Sequence, residues 1–243
     1  MKHFLSIDQG TTSSRAIIFN SNLEPVLDAQ REYDLDYPND GWVELNPEDV
    51  LETVLASLEQ VLAEDIDIEA CGITNQRETT IVWSKSSGKP IYPGIVWQDR
   101  RTHEFCNELK LKGIEDSIKN KTGLVLDPYF SASKIKWILD NVEGARVKAE
   151  NGDLLFGTVD SYLIYMLSKE KNHFTDVTNA SRTLLFNINT MEWDNELLDL
   201  FEIPRSMMPT VLSCDGDFGL VNINNYKIPL RGVSGEQQEA LEG

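Results

Sequence analysis

The segment FLSIDQGTTS, residues 4–13, has the residue types that suit a nucleotide phosphate. An apolar run ends at Asp8, and the chain turns through Gly10 into Thr11, Thr12 and Ser13 before a second apolar run. This pattern predicts two strands joined by a tight turn. Backbone N–H groups and hydroxyls of such a turn contact phosphate oxygens, and a carboxylate at the strand end holds Mg²⁺ through water. The alternative is an ordinary hairpin with a polar turn.

A second candidate is the pair Arg77 and Glu78 in GITNQRETTIVW, residues 72–83, which lies between two apolar runs. We expect the pair at a strand edge or turn. An arginine beside a carboxylate offers donors and acceptors to adjacent hydroxyls and cancels the net charge, which suits a polyol. A surface salt bridge at a turn is the alternative reading.

Two aromatic residues stand next to polar clusters further along the chain. Trp97 precedes QDRRT in residues 95–102, and its indole face could stack on the C–H side of a polyol, or it could belong to the core. Tyr129, in residues 127–139, stands just before a helix that we predict to be capped by Ser131, and its hydroxyl could point into a cleft. Neither residue is decisive alone.

Composition narrows the class of protein. The chain has 243 residues and is 41% hydrophobic, so it can form a full core. Its net charge of −18 should repel nucleic acid and anionic membranes. Three widely spaced cysteines form neither a disulfide framework nor a zinc site. The start MKHFLSID lacks the apolar core of a signal peptide, and we predict no membrane insertion and a cytoplasmic location.

Hydrophobic spacing predicts a β-rich first part and a helical second part. Asn46 and Pro47, followed by two acidic residues, indicate a helix start, and apolar residues at helical spacing continue the helix to about Ala63. We predict strands at residues 68–74, 79–83 and 154–156, a hairpin loop at 85–90, and helices at 103–111, 131–139 and 159–167. The fold class is therefore α/β, a sheet covered by helices.

These segments, in this order, resemble the motifs of the FGGY family of carbohydrate kinases, and within it the branch that phosphorylates glycerol. The resemblance covers essentially the whole chain, through DQGTTSSRA at 8–16, NQRETT at 75–80, WQDRRT at 97–102, DPYFSASK at 127–134, FGTVDSYLIYML at 156–167, TNASRTLLFNI at 178–188 and SGEQQ at 234–238. This many motifs in the family's order argue against chance. The implied fold is a ribonuclease H-like domain of the actin, Hsp70 and sugar-kinase ATPase fold, a mixed β-sheet flanked by helices.

The resemblance also implies a role for each motif residue. Contacts to ATP would come from Thr11, Thr12, Ser13 and Arg15, and Asp8 would serve Mg²⁺. The glycerol pocket would be lined by Arg77, Glu78, Trp97, Tyr129, Glu236 and Gln237, with Trp97 as an apolar wall. Glu236 stands where the family has its catalytic aspartate and would accept the proton of the attacking hydroxyl. The full-length protein would make sn-glycerol 3-phosphate from glycerol and ATP, and we expect it to be a homo-oligomer.

The glutamate at position 236 is a departure from the family. Its extra methylene displaces the carboxylate by on the order of 1 Å, and such a misplacement can cost roughly a hundredfold in rate. The carboxylate is nevertheless kept, and the neighbouring Gly235 gives the backbone freedom to compensate. We therefore expect Glu236 to act as a working base.

The end of the chain at Gly243 is a further departure, because family members continue into a second domain that holds the adenine. We assign residues 1–241 to the N-terminal, polyol-binding domain and residues 242–243 to a cloning remnant, and we expect the chain alone to be catalytically inactive. Three other functions stay open: a kinase for another small polyol or ketose, a non-catalytic polyol-sensing domain, and a chaperone-like or filament-forming ATPase. The last has no use for Arg77, Glu78 or Trp97.

Overall fold

The computed structural model describes residues 2–64 and 66–237. The strands are β1 His3–Gln9, β2 Ser13–Asn20, β3 Pro25–Glu32, β4 Glu44–Leu45, β5 Ile68–Asn75, β6 Ile81–Ser84, β7 Gly94–Ile95, β8 Leu154–Gly157, β9 Phe174–Asp176, β10 Phe186–Asn187, β11 Glu192–Trp193, β12 Thr210–Leu212, β13 Leu220–Ile223 and β14 Tyr226–Gly235. The helices are α1 Pro47–Leu62, α2 His103–Leu111, α3 Glu115–Thr122, α4 Ser131–Asn141, α5 Ala145–Glu150, α6 Val159–Leu167, α7 Val177–Ala180 and α8 Asn195–Leu200, with a 3₁₀ turn at Arg205–Met207. The predicted α/β class is confirmed.

The main sheet has six strands in the order β13-β14-β5-β1-β2-β3 and is mixed. β14, β5 and β1 are parallel neighbours, and the other pairs are antiparallel. The register aligns Gln9, Asn75 and Gly235, so the carboxyl ends of the three parallel strands meet at one edge of the sheet. In α/β sheets this edge is the usual position of a ligand.

The hairpin predicted from residues 4–19 is confirmed. Alternate residues of β1 and β2, such as Leu5, Ile7 and Ile18, are buried, which is the period of a strand with one face on the core. The N–H of Gly10 donates to the carbonyl of Ser13 over 2.9 Å and closes the turn. The turn therefore lies at the carboxyl end of β1, on the ligand edge of the sheet.

The helix predicted to run from Asn46 to about Ala63 is also confirmed. The Asn46 side chain accepts a hydrogen bond from the N–H of Glu48 over 3.1 Å, and Pro47 occupies the first turn, where its missing N–H costs nothing. Val54 and Leu58 lie on the buried face of α1, which packs on β2 and β3. Helices α2 and α6 have the predicted bounds, and α4 and β8 differ from prediction by one or two residues.

Two predictions about local structure are wrong. Ser131 is the first residue of α4 and not its cap, because the capping position is Phe130, which makes no side-chain cap bond. The helical second part ends in the β13–β14 hairpin, where Pro229, Gly232 and a register irregularity interrupt the alternation that identifies a strand.

The apolar side chains form two clusters. One lies between the main sheet, α1 and α6, and the other gathers α2, α4, α5 and α8 around residues such as Ile135 and Phe201. None of the helices in the described ranges has the length and apolar character needed to span a bilayer. The predicted remnant at residues 242–243, and the end of the domain at residue 241, lie outside the described residues.

Candidate active site

A pocket of about 220 Å³ opens at the carboxyl edge of the parallel strands. Its lining comes from segments far apart in sequence and comprises Thr11, Gln76, Arg77, Glu78, Trp97, Tyr129, Glu236 and Gln237. All of the predicted substrate-binding residues are therefore brought together, with one hydroxyl of the hairpin beside them. The volume is below the roughly 300–1,000 Å³ of pockets for drug-sized ligands, so the pocket suits a small molecule.

Arg77 and Glu78 are buried, which rules out the surface salt bridge. Their side chains are 5% and 2% exposed. Glu78 has a φ of 61°, a left-handed conformation that is uncommon for glutamate and is found mainly where the surrounding structure imposes it. Arg77 Nη2 donates to Gln237 Oε1, which joins the loop after β5 to the residues after β14.

The Glu78 carboxylate has a second cation closer than Arg77. Arg182 Nε donates to Glu78 Oε1 over 2.6 Å, whereas Arg77 Nε lies 3.8 Å from the same oxygen. The sequence interpretation paired Arg77 with Glu78, and the structure shows that Arg182 is the closer partner. Two arginines therefore approach the Glu78 carboxylate, Arg77 within the pocket lining and Arg182 from behind it.

The backbone of this wall is held by Lys134, which is fully buried on α4. Its Nζ donates to the carbonyl oxygens of Tyr129 and Glu78, over 2.8 and 3.1 Å. Burial lowers the pKa of Lys134 to about 7, and the charges of Glu78 and Asp99 oppose that shift. The lysine thus fixes two pocket residues through their main chains.

Part of the pocket wall is aromatic. The rings of Trp97 and Tyr129 lie 5.6 Å apart between centroids, at 57° to each other. The N–H of Trp97 donates to the hydroxyl of Thr11 over 3.1 Å, which orients the indole and ties the wall to the hairpin. Burial, followed by the charge of Glu78, raises the pKa of Tyr129, so its hydroxyl keeps its proton and can donate.

Glu236 and Gln237 follow directly after β14. The N–H of Gly235 donates to Thr178 Oγ1 over 2.8 Å, and the hydroxyl of Thr178 is bound to Asp176 over 2.6 Å. This anchor fixes the point from which the chain enters the pocket. Glu236 is exposed and lines the pocket.

The hairpin that we predicted to bind phosphate is braced against the pocket. The carbonyl of Gly10 accepts hydrogen bonds from the side chains of Gln9, Tyr33 and Gln76, over 2.6, 2.7 and 3.1 Å. Thr12, at the tip, is exposed. The hairpin therefore presents this residue from a rigid base.

The other predicted nucleotide and metal residues lie outside the pocket lining. Ser13 Oγ accepts from Gln30 over 3.1 Å, and Arg15 is paired with Asp28 over 3.0 Å on the outer strands of the sheet. Asp8 lies opposite Arg15 in the hairpin. Burial raises the pKa of Asp8, and the positive charge of Arg15 opposes the shift. The structure thus gives Arg15 a partner that the sequence interpretation missed.

The Mg²⁺ site that we predicted at Asp8 stays a prediction. Within the described ranges, no three His, Cys, Asp or Glu side chains form a metal cage. Mg²⁺ in phosphoryl-transfer sites is commonly bound by one or two carboxylates together with substrate phosphates. Asp8, at the end of β1 beside the hairpin, is placed to supply such a carboxylate.

Gln76, Lys134 and Arg182 belong to the site, and the sequence interpretation assigned no role to them. All three lie inside the quoted motifs, and Lys134 carries one further signal, a charged residue within the apolar pattern of α4. Their contacts reach 66, 56 and 104 positions along the chain. Such separations leave no mark in local periodicity.

Comparison with known proteins agrees with the geometry. The sequence profile of the N-terminal domain of the FGGY family of carbohydrate kinases matches residues 3–236. The chain is 55% identical to a glycerol kinase of Alteromonas mediterranea and 52% identical to one of Bacillus cereus, in each case over 100% of this chain and 50% of the relative. A crystal structure of Plasmodium falciparum glycerol kinase with ADP superimposes with a TM-score of 0.95 at 36% identity, covering 99% of this chain and 49% of that one.

The chain belongs to the FGGY family of carbohydrate kinases. A xylulose kinase from Rhodospirillum rubrum, at 19% identity and a TM-score of 0.87, shares the fold alone. The predicted sugar-kinase fold of the actin and Hsp70 group is thereby confirmed. The chain spans about half the length of the curated relatives that it matches.

Proposed function

We propose that this chain is the N-terminal half of an ATP-dependent glycerol kinase, which transfers the γ-phosphoryl group of ATP to glycerol and yields sn-glycerol 3-phosphate. The observation that carries the proposal is that Arg77, Glu78, Trp97, Tyr129 and Glu236 line one pocket together, beside the hairpin of β1 and β2. The glycerol kinases at 52–55% identity support the choice of acceptor.

The pocket offers what a triol requires. Arg77 donates, Glu78 accepts, and Tyr129 does either, so adjacent hydroxyls find complementary partners. Trp97 covers the C–H face of the acceptor with an apolar surface. The volume of about 220 Å³ accommodates a three-carbon polyol.

The proton of the attacking hydroxyl goes to Glu236. As the hydroxyl oxygen forms its bond to the γ-phosphorus, the bond from that phosphorus to the bridging oxygen of ADP breaks, and ADP leaves with the electron pair. Thr11, Thr12 and Ser13 are proposed to contact the phosphates from the hairpin. Mg²⁺ near Asp8 would neutralise charge on the phosphate oxygens.

The domain assignment and the cellular context stay predictions. We propose that residues 1–241 form the polyol-binding domain and that a second domain holds the adenine, so the chain alone should not turn over. A homo-oligomeric state and a cytoplasmic location stay predictions as well. A kinase for another small polyol or ketose is the alternative, since Arg77 and Glu78 would serve any pair of adjacent hydroxyls, and a polyol-sensing domain would keep the pocket without the base.

The proposal is tested by coupled assay of ADP formation by the full-length protein with glycerol, other small polyols and ketoses. We expect the highest kcat/KM with glycerol. Glu236→Gln keeps the size of the side chain and removes its basicity, so kcat should fall by about 10²- to 10⁴-fold while glycerol still binds.

Glu236→Asp is the matched control, because it keeps a carboxylate and has the residue that the family has at this position, so its kcat should fall far less than that of Glu236→Gln. A higher kcat/KM with another polyol or ketose would transfer the assignment to that substrate. No ADP formation with any acceptor, together with measurable polyol binding, would support the sensing domain instead.

A further inference from the structure

Arg182 lies two residues after α7, and it contacts the pocket from outside. It is not among the residues that line the cavity, yet its Nε lies 2.6 Å from Glu78 Oε1. Its side chain is 24% exposed, whereas that of Glu78 is 2% exposed. Arg182 therefore acts on the interior of the pocket through the Glu78 carboxylate.

A carboxylate as buried as that of Glu78 needs a fixed partner, because an unpaired charge in the interior is strongly disfavoured. Lys134 holds the carbonyl oxygen of Glu78, and Arg182 holds its Oε1. The residue is therefore fixed at both its main chain and its side chain. With Oε1 directed to Arg182, the other oxygen, Oε2, becomes the natural acceptor for a ligand hydroxyl.

The guanidinium group of Arg182 is itself restrained by aromatic rings. Its central carbon lies 4.9 Å from the ring centroid of Phe130 and 6.0 Å from that of Tyr129. Stacking of this kind orients an arginine and lowers the entropy that it loses on binding a carboxylate. Arg182 thus joins Glu78 to the segment that carries Tyr129.

We propose that Arg182 is a positioning residue for the polyol: by binding Oε1 it turns Oε2 of Glu78 towards the acceptor hydroxyl, without touching the polyol itself. This inference rests on the proposed function. Because Arg182 acts on the polyol side and the hairpin on the nucleotide side, its loss raises KM for glycerol and leaves KM for ATP unchanged.

The test is a set of kinetic measurements on the full-length protein. Loss of one charge-assisted hydrogen bond predicts a decrease in kcat/KM for glycerol of about 10- to 100-fold in Arg182→Met, mainly through KM. Arg182→Lys, which keeps the charge, should recover part of this loss. Arg146→Met is the matched control, since Arg146 is also paired with a carboxylate, Asp140, and is 29% exposed; it should leave the kinetics within twofold of wild type.

A double-mutant cycle distinguishes positioning from a general structural role. In the Glu78→Gln background the carboxylate is gone, so adding Arg182→Met should change kcat/KM by less than about threefold. The inference is overturned if Arg182→Met has the same effect in both backgrounds, or if it raises KM for ATP as much as KM for glycerol.

Glycerol binding by calorimetry keeps the two proposals apart. If the wild-type protein binds glycerol without transferring phosphate, the kinase proposal fails, and the same cycle measured on Kd decides the role of Arg182. A wild type that neither binds nor phosphorylates any polyol overturns both.

Discussion

Replacing Arg77 with methionine is the sharpest probe of the polyol pocket, because the side chain keeps much of its volume and loses all of its donors. Arg77 is 5% exposed, binds Gln237, and lies 3.8 Å from the Glu78 carboxylate. Removing one partner of an isolated buried pair typically costs about 3–5 kcal/mol. Here Arg182 still holds Glu78 at 2.6 Å, so the carboxylate is not left unpaired.

We therefore expect a smaller loss, about 2–3 kcal/mol of transition-state stabilisation, which is a decrease of roughly 30- to 150-fold in kcat/KM for glycerol. The assay is steady-state phosphoryl transfer by the full-length protein. Glycerol is varied at saturating ATP, and ATP is then varied at saturating glycerol. KM for ATP should stay within about twofold, since Arg77 does not belong to the hairpin.

Arg31→Met is the control for Arg77→Met, because Arg31 also donates to a glutamine, Gln60, but does so on the exposed surface. It should not change the kinetics. If Arg77→Met also leaves glycerol kinetics intact, the pocket is not the acceptor site. If Arg77→Met costs as much as leaving a buried carboxylate unpaired, about 3–5 kcal/mol, then Arg182 does not hold Glu78 in the way that the geometry implies.

Three further predictions concern the hairpin and two buried charges. Thr12→Val puts a methyl group opposite a phosphate oxygen and should weaken ATP binding or transfer by about 1.5–3 kcal/mol, and unchanged ATP kinetics would make the hairpin merely structural. Burial lowers the pKa of Lys134 to about 7 in the folded chain. Between pH 7 and 9 the unfolded chain therefore binds more protons than the folded chain. The free energy of unfolding should rise with pH over this range, by up to about 1.4 kcal/mol per pH unit. Urea denaturation of the chain should show this rise in wild type and not in Lys134→Met, and equal slopes would contradict it. Burial, together with the charge of Asp176, raises the pKa of Asp160 to about 7 in the folded chain. Between about pH 4 and pH 7 the folded chain therefore keeps a proton that the unfolded chain releases. The free energy of unfolding should fall as the pH increases over this range. Asp160→Asn should flatten that decrease in the same measurement, and an unchanged pH profile would refute it.

The sequence alone determined the local elements and the chemistry that they carry. The hairpin around Gly10 and the helix that begins after Asn46 were predicted because their signals, alternation and capping, lie within a few residues of one another. The candidate residues Arg77, Glu78 and Tyr129 were found because they interrupt apolar runs with groups that a core does not need. The assignment of Glu236 came from family resemblance rather than from local pattern.

Only the tertiary structure decided how these residues meet. β14 pairs with β5, and this pairing brings Glu236 to the loop that carries Arg77. Proline and glycine interrupt the alternating pattern of β14, so the sequence did not predict this strand. The burial of Glu78, and its partner Arg182 from 104 positions away, depend on packing between distant segments. Periodicity and capping report only on near neighbours, whereas the partner of a buried charge is chosen by whichever groups the fold brings within a few ångströms.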